Sequence, residues 1–568
     1  MSASHLDADV TIDAGDATTT SEVCSTSYKT DSHSNNAASC DPAVIWTEGV
    51  RHLLSEGLGP ARFQAATRRL RVPPLTTCLR VNSARASPAD LLRLLRGAAE
   101  AQGTPEAALP RLHPLIPEAI LIPGSGPHSV DYSAAEGREV VIVRKAGEAV
   151  LRGADVFVPG VLATTPGLCP GDVVVVSIAL ERPGSERYGI SRGYRLGSDP
   201  GLEASAPPRV RVGLGRCLLS RADMFRHERG VGVALVARVY RPGAPACAVP
   251  PGTAMLQNLP SLVAAAALDP APGSRVLDMC AAPGGKTTAL AGRLAAAGQG
   301  GTITALDRSH VKVAHIRRLA REAGVEALVT AYRADACRCV RGLAAGSTGA
   351  GERGATCAEG AGPAAERGPS SGPPQGDVAG ARHPPESQLA APISEGLRRR
   401  LERQALARQR HGQQLILSAH TAEGREAECP GFDPGSFDHV LCDVPCSALG
   451  LRPRFRHEQT VEELVGTAQY QRRILAAGVG ALRPGGTMVF STCTISHLEN
   501  EANVRWLLDS FPLRLVPALP RLGGPGLVAP QAQPPLLTAA EAAMVQRFDP
   551  GEPASDTIGF FIAKFVKL

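Results

Sequence analysis

The chain has 568 residues, room for several domains, and is 43% hydrophobic but only 4% aromatic, so its cores must rest on aliphatic side chains. A net charge of +6 permits a polyanionic partner without demanding one, and Gly 60 with Pro 47 signals that part of the chain is unstructured. No secretory signal opens it, no apolar run is long enough to span a bilayer and the fourteen cysteines show no zinc spacing; these exclude membrane and metal-scaffold classes and predict an intracellular protein, cytoplasmic or nuclear, with free thiols and no metal.

Residues 1–42 are Ser, Thr, Ala and acid, with Asp7, Asp9, Asp13, Asp16, Glu22, Asp31 and Asp41 against the single base Lys29; the reading is disorder. From 43 to 136 the pattern is α+β. Val44, Ile45, Trp46, Val50, Leu53 and Leu54 recur at helical spacing, Thr76–Asn82 reads as a strand, and Pro88–Arg96 as a helix. Between 137 and 239 the signals are all short strands, Val140–Val143, Asp155–Val158 and Val173–Ile178 among them, parted by Gly and Pro turns, and a small β-barrel fits them. Strands and helices then alternate over 240–341 and again over 431–568. Strands Val276–Cys280, Ile303–Leu306, one ending near Asp335, Val440–Cys442 and Thr487–Phe490 are interleaved with helices over Val311–Ala323 and Glu462–Leu482. That alternation predicts a doubly wound α/β fold with a parallel sheet. Residues 342–430 interrupt it with a low-complexity insertion that has almost nothing to bury, and the basic run Gly396–His411 within it reads as a solvated helix or a phosphate contact.

Chemistry concentrates at the carboxyl ends of those strands. After the first comes a turn, Asp278-Met279-Cys280-Ala281-Ala282-Pro283-Gly284-Gly285-Lys286-Thr287, which opens a helix; its glycines let backbone N–H groups approach a ligand, and the helix start favours an anionic group. It is not a dinucleotide fingerprint, and Cys280 stands where a phosphate-binding loop needs its first Gly. Asp307 ends the second strand, where an acid holds ribose hydroxyls; Asp335 ends the third and Asp443 the fourth. Each acid alone reads as a helix cap; acids on consecutive strand ends read as a ligand site. Cys446 follows the fourth strand and Cys493 the fifth. Neighbouring parallel strands lie about 5 Å apart, so both sulfurs and Asp443 face one cleft. Cys442, Cys217 and Cys169 read instead as small buried hydrophobes.

These motifs resemble those of the NOP/Sun family of RNA 5-methylcytosine methyltransferases. Cys280–Lys286 matches the first cofactor motif of that family, and Asp443-Val444-Pro445-Cys446 and Ser491-Thr492-Cys493 match its two cysteine motifs. Val444 stands where Ala is usual and Ala448 where Gly is common. The barrel resembles a PUA domain, and Gln546–Pro550 with Ile558–Phe565 resembles the PUA-containing branch that modifies tRNA. The resemblance implies a Rossmann-like class I methyltransferase domain in two parts, 240–341 and 431–568, a PUA barrel over 137–239 and a small N-terminal α+β segment. It implies S-adenosylmethionine as cofactor, held by Cys280, Ala281, Ala282, Pro283, Gly284, Gly285, Lys286, Asp307, Asp335 and Asp443. It implies Cys493 as nucleophile, Cys446 in product release, and Asp443 and Lys286 as their helpers. The expected partner of this monomer is RNA, tRNA near the 3′ end of its acceptor stem, with ribosomal or messenger RNA, or a non-catalytic RNA-binding role, as the alternatives. Arg144, Lys145 and Arg152 are candidate phosphate contacts of the barrel, and the loop around Gly213-Leu214-Gly215 is expected to face the same RNA.

Overall fold

The computed structural model describes residues 44–181, 188–204, 209–298, 300–342, 429–529, 536–552 and 556–568. The acidic leader, nearly all of the insertion and its basic run lie outside the described residues.

Two helices, Glu48–Leu58 and Pro60–Leu70, meet at Gly59 and bury Val50, Leu54, Leu58, Phe63 and Leu70. A four-stranded antiparallel sheet follows, in the order Ala254–Leu256, Thr77–Val81, Ala119–Ile122, Arg111–Leu112, backed by helix Pro88–Ala101. Its first strand comes from beyond the barrel segment, so that segment is inserted into the sheet rather than appended to it.

The inserted segment is a seven-stranded sheet running Val156–Phe157, Val231–Arg238, Arg209–Cys217, Val173–Ala179, Glu139–Val143, Val161–Thr164, Tyr194–Arg195. Val140, Ile142, Val174, Val176 and Ile178 fill its larger core. It is not all strand. Helices Arg144–Leu151, Pro200–Ala204 and Arg221–Arg226 punctuate it. The first begins directly after a β-branched run, where Arg-Lys-Ala-Gly-Glu-Ala offers helix formers and an Arg144–Glu148 pair one turn apart. Gly213-Leu214-Gly215 is not a loop. It lies inside strand Arg209–Cys217 and is buried, because Gly213 (φ +158) and Gly215 admit the backbone and side chains of the neighbouring strand where a Cβ would clash.

The last part carries the α/β layers. In chain order these are β1 (Arg275–Asp278), α1 (Gly285–Ala297), β2 (Thr302–Asp307), α2 (His310–Ala323), β3 (Val329–Arg333), β4 (Phe437–Asp443), α3 (Val461–Ala481), β5 (Leu482–Thr492), α4 (Glu501–Ser510), β6 (Leu513–Val516), β7 (Gln546–Phe548) and β8 (Phe560–Lys567). The sheet order is β3-β2-β1-β4-β5-β8-β6, with β7 also on β8. Consecutive residues face opposite layers. Leu277, Phe490 and Phe561 pack with Ile474 and Val504 on one side; Val276, Val489 and Ile562 pack with Leu262 and Leu290 on the other. Five strands are parallel as expected, but β8 runs antiparallel to β5, β6 and β7. Parallel pairing needs a crossover helix. After Ser510 the only helix is the short Ala539–Ala542, so among the described residues the chain has no crossover and reverses instead.

Candidate active site

The turn after β1 is shaped by hydrogen bonds and one obligatory glycine. Ala281 N–H donates to Leu306 O (2.9 Å) and Gly284 N–H to Ala281 O (2.7 Å). Gly284 sits at φ +108, and a Cβ there would lie 3.3 Å from Ile316 Cα, so no larger residue is comfortable. Helix α1 starts at the next residue, with its first N–H groups free of intrahelical partners. Arg80, buried and reaching across from the N-terminal sheet, donates to Gly285 O (2.8 Å) and Thr288 Oγ1 (2.9 Å) and so braces that first turn.

Asp278 is fully buried at the end of β1. Its Oδ2 accepts from Thr287 Oγ1 (2.7 Å), its Oδ1 has no partner, and burial lifts its carboxyl to about 7. An orphaned buried acceptor beside a helix start is a donor set suited to a zwitterion: helix N–H groups for a carboxylate, Asp278 for an ammonium. The methionine moiety of S-adenosylmethionine presents both groups, so the residues present fit that cofactor. Asp307, at the end of the adjacent β2, accepts from Ser309 N–H (3.2 Å) and lies 3.6 Å from Lys312 Nζ. Asp335 is exposed two residues past β3 and caps a short turn by accepting from Cys337 N–H (3.0 Å). Burial first, then the nearby Cys442, Asp278, Asp443 and Asp307, pushes the Cys280 thiol well above its ordinary range, so that thiol is held neutral.

The structure brings Asp443, Lys286, Cys446 and Cys493 together. Asp443 and Ser491 are register partners on β4 and β5, and Ser491 Oγ donates to Asp443 Oδ1 (2.7 Å). Lys286 Nζ donates to Asp443 Oδ2 (2.7 Å) from the first turn of α1. The two sulfurs, one on each following loop, are 3.3 Å apart. The hydrogen bond from Cys446 pulls the Cys493 thiol below its ordinary range; burial and Asp443 oppose this, and the Lys286 charge adds to it. The Cys446 thiol is pushed well above its own. The pair is therefore asymmetric, with Cys493 the sulfur that ionises first. Of the cysteines read as inert, Cys442 and Cys217 are buried, whereas Cys169 is exposed in a turn.

Sequence reasoning passed over the network beneath the sulfurs. Glu499 Oε2 accepts from Ser447 N–H (2.9 Å) and Gln471 Nε2 (3.0 Å), and its Oε1 from Ser447 Oγ (2.5 Å). Gln471 Nε2 also donates to Pro445 O (2.9 Å), and Asn503 Nδ2 to Gln471 Oε1 (2.9 Å). Glu499 precedes α4, where an acid reads as a helix-start residue; only the fold turns it toward the cysteine loops. Ala448, two residues past Cys446, sits at φ +57, which accounts for the Gly common there. Gly450 N–H donates to Cys493 O (3.0 Å), and a Cβ on Gly450 would fall 2.2 Å from Gly559 O, so the two loops and the start of the last strand meet at that glycine.

The expected phosphate contacts divide. Arg144 is buried, its guanidinium donating to Glu181 (2.8 and 3.0 Å), Glu148 (3.3 Å) and Glu458 (3.1 Å), and is unavailable to a ligand. Glu181 and Glu458 lie too far away in sequence for a local reading to pair them with it. Lys145 and Arg152 are exposed. Arg152 lines a cavity of about 730 Å³ with Arg111 and His113 of the N-terminal segment and Arg454, Phe548 and Ile558 of the α/β part. Among the described residues no cluster is suited to a metal ion, and no helix is long and apolar enough to cross a membrane.

A family model for 16S rRNA methyltransferase RsmB/F matches residues 265–343 and 388–566, and one for the PUA domain matches 138–181. The rRNA (cytosine-C(5))-methyltransferase NOP2C of Arabidopsis thaliana is 37% identical over 92% of this chain and 91% of its own. The tRNA (cytosine(72)-C(5))-methyltransferase NSUN6 of Mus musculus is 30% identical over 89% of this chain and 90% of its own. The crystal structure of NSun6 from Pyrococcus horikoshii with SFG shares the fold, with a TM-score of 0.60 at 24% identity, covering 92% of this chain and 98% of that one. With relatives at this identity over nine-tenths of its length, and the motif residues gathered at one sheet edge, the chain belongs to the RsmB/F (NOP/Sun) family of RNA cytosine-C5 methyltransferases and carries a PUA domain.

Proposed function

We propose that this enzyme uses S-adenosylmethionine to form 5-methylcytosine in tRNA at cytosine 72, near the 3′ end of the acceptor stem, through a covalent adduct on Cys493. The observation that carries the reading is the pair of free sulfurs 3.3 Å apart beside the Lys286–Asp443 ion pair. Cytosine C5 is a poor nucleophile. Addition of the Cys493 thiolate to C6 makes the ring enamine-like and directs its electron density to C5. The cofactor, when bound, supplies the methyl group as an electrophile. Asp443, fixed by Lys286 and Ser491, contacts N3 and the exocyclic amine and stabilises the adduct. The C5 proton then passes to water, its bonding electrons form the C5–C6 double bond, and the Cys493 sulfur departs as thiolate. Cys446 acts in that release. Gly284, Gly285, Lys286, Asp278, Asp307 and Asp335 stand on the strand ends and helix start where the cofactor is held. A base at a frayed duplex end leaves its stack at least cost, about a few kcal/mol or less, which favours an acceptor end, and Lys145 and Arg152 are exposed basic groups that its phosphates can reach.

The test is Cys446→Ala on a tRNA transcript. It is expected to accumulate a protein–RNA adduct that migrates slowly on a denaturing gel and vanishes when cytosine 72 is replaced. Absence of adduct on any RNA overturns the role of the cysteines. The 37% identity to a relative that acts on rRNA favours a second reading, the same chemistry on ribosomal RNA. Bisulfite sequencing of both RNAs from cells lacking the protein separates the two: unchanged tRNA with lost rRNA methylation decides for the second.

A further inference from the structure

Glu499 is a fully buried carboxylate that the mechanism above does not use. Its two oxygens hold both the N–H and the hydroxyl of Ser447, the residue after Cys446. Ser447 Oγ in turn lies 2.8 Å from Thr494 Oγ1, on the residue after Cys493. Gln471, on Glu499, also grips Pro445 O, so the residues on either side of Cys446 are fixed by one carboxylate–amide pair. Asn500, the next residue, accepts from Thr492 Oγ1 (2.5 Å) and donates to Thr494 O (3.0 Å), clasping the residues on either side of Cys493. We propose that Glu499 is the positioning residue of the cysteine pair: its carboxylate fastens the loops that carry Cys446 and Cys493 to each other and keeps the proton of the pair on Cys446. The proposal rests on the reading of Cys493 as nucleophile.

Among the described residues no cation pairs with Glu499. Burial raises the Glu499 carboxyl above its ordinary range, and the hydrogen bonds from Ser447, Gln471 and Thr494 oppose that rise. A carboxylate ionised there without a counter-ion costs desolvation free energy that those bonds offset only in part, so stability alone does not account for it. Its negative charge lies close to Cys446 and opposes ionisation there, adding to the thiol–thiol hydrogen bond and to burial. Cys493 has different neighbours: the Lys286 ammonium, which favours its thiolate, and Asp443, whose charge Lys286 and Ser491 largely occupy. Glu499 thus adds to the asymmetry that the thiol–thiol hydrogen bond sets up between two chemically identical groups.

Glu499→Gln separates clamp from charge. Its amide oxygen can accept from Ser447 N–H and Gln471, and its NH2 can donate to Ser447 Oγ, whose own proton turns to Thr494; the clamp survives and the charge is gone. Site-resolved alkylation with iodoacetamide across pH, read by peptide mass spectrometry on the full chain, reports which sulfur is the thiolate. In the wild type, labelling at low pH is expected on Cys493. In Glu499→Gln it spreads to Cys446, and kcat falls about tenfold while KM for RNA stays within about twofold. Glu499→Ala, which also loses the clamp, is expected to lose more of kcat than Glu499→Gln. Glu499→Gln with wild-type labelling and wild-type kcat overturns the proposal. Wild-type labelling that begins on Cys446 overturns the choice of nucleophile, and the proposal with it.

Discussion

At the scale of single residues, reactivity here is a matter of neighbours rather than of residue type. Eleven cysteines among the described residues are free thiols, yet one of the sulfurs at the strand ends has an acidified thiol, and the cause is a hydrogen bond from another cysteine backed by Lys286. This gives a pH dependence with a definite sign. In the proposed mechanism the attacking form is the Cys493 thiolate, so activity is expected to fall as pH drops through its lowered value. Lys286→Met removes a charge that favours the thiolate and frees the full charge of Asp443, which opposes it. The acidic limb of the kcat/KM profile should therefore move to higher pH, with a larger loss of rate at pH 6.5 than at pH 8.5. An unshifted limb would count against an electrostatic role for Lys286. The cysteine pair itself was legible, because motif spacing put both sulfurs beyond adjacent strands. Glu499 and Ser491 were not, because their roles depend on the register between β4 and β5 and on how the loop before α4 folds back, neither of which one sequence specifies.

At the scale of elements, hydrophobic period and strand-end chemistry carried most of the reading. Helix α3 was expected over 462–482 and occupies Val461–Ala481 behind a Thr460–Glu463 capping box, a signal that is local and therefore readable. The antiparallel β8 was missed as an element of the sheet, since strand direction depends on what lies between strands. Arg144 was misread because an exposed basic residue and a buried ion-paired one look alike until distant acids are placed. The insertion offers a test at this scale. Its two flanks are stitched together: Val340 and Phe432 form a parallel bridge, Arg341 N–H donates to Phe432 O (2.8 Å), and Phe432 N–H donates to Cys339 O (2.8 Å). A Gly/Ser linker in place of 343–428 needs only to span a closed gap, and loop-closure cost varies slowly with length. Methyl transfer by such a variant should stay within about twofold of the full chain. A folded but inactive variant would give the insertion a part in the reaction.

At the scale of the whole molecule, the parts are joined by buried polar contacts as well as apolar ones. Ile45 bridges to Arg456, and Trp46 stacks on His457 with ring centroids 4.3 Å apart, tying the start of the described chain to the α/β part. Burial pulls His457 down to about 3 from 6.5, and its Nε2 has no hydrogen-bond partner. The unfolded chain therefore binds a proton that the folded one refuses, and stability is lost as pH falls below about 6.5 toward that depressed value. His457→Phe keeps the stack and removes the titration. Between pH 7.5 and 5.5 the variant should lose about 1 kcal/mol less stability than the wild type in urea unfolding; equal losses would show that the junction is not acid-sensitive through this ring. The N-terminal sheet joins the molecule differently, since the barrel is threaded between strands that belong side by side. Strand Thr77–Val81 finds one neighbour at Ala119–Ile122 but the other only at Ala254–Leu256. On a ribosome that adds about 5–20 residues per second, the open edge of Thr77–Val81 waits on the order of ten seconds or more for its second partner. The nascent seven-stranded segment must fold in that interval, with its two ends near each other, before the brace that Arg80 lends to the turn after β1 can be set.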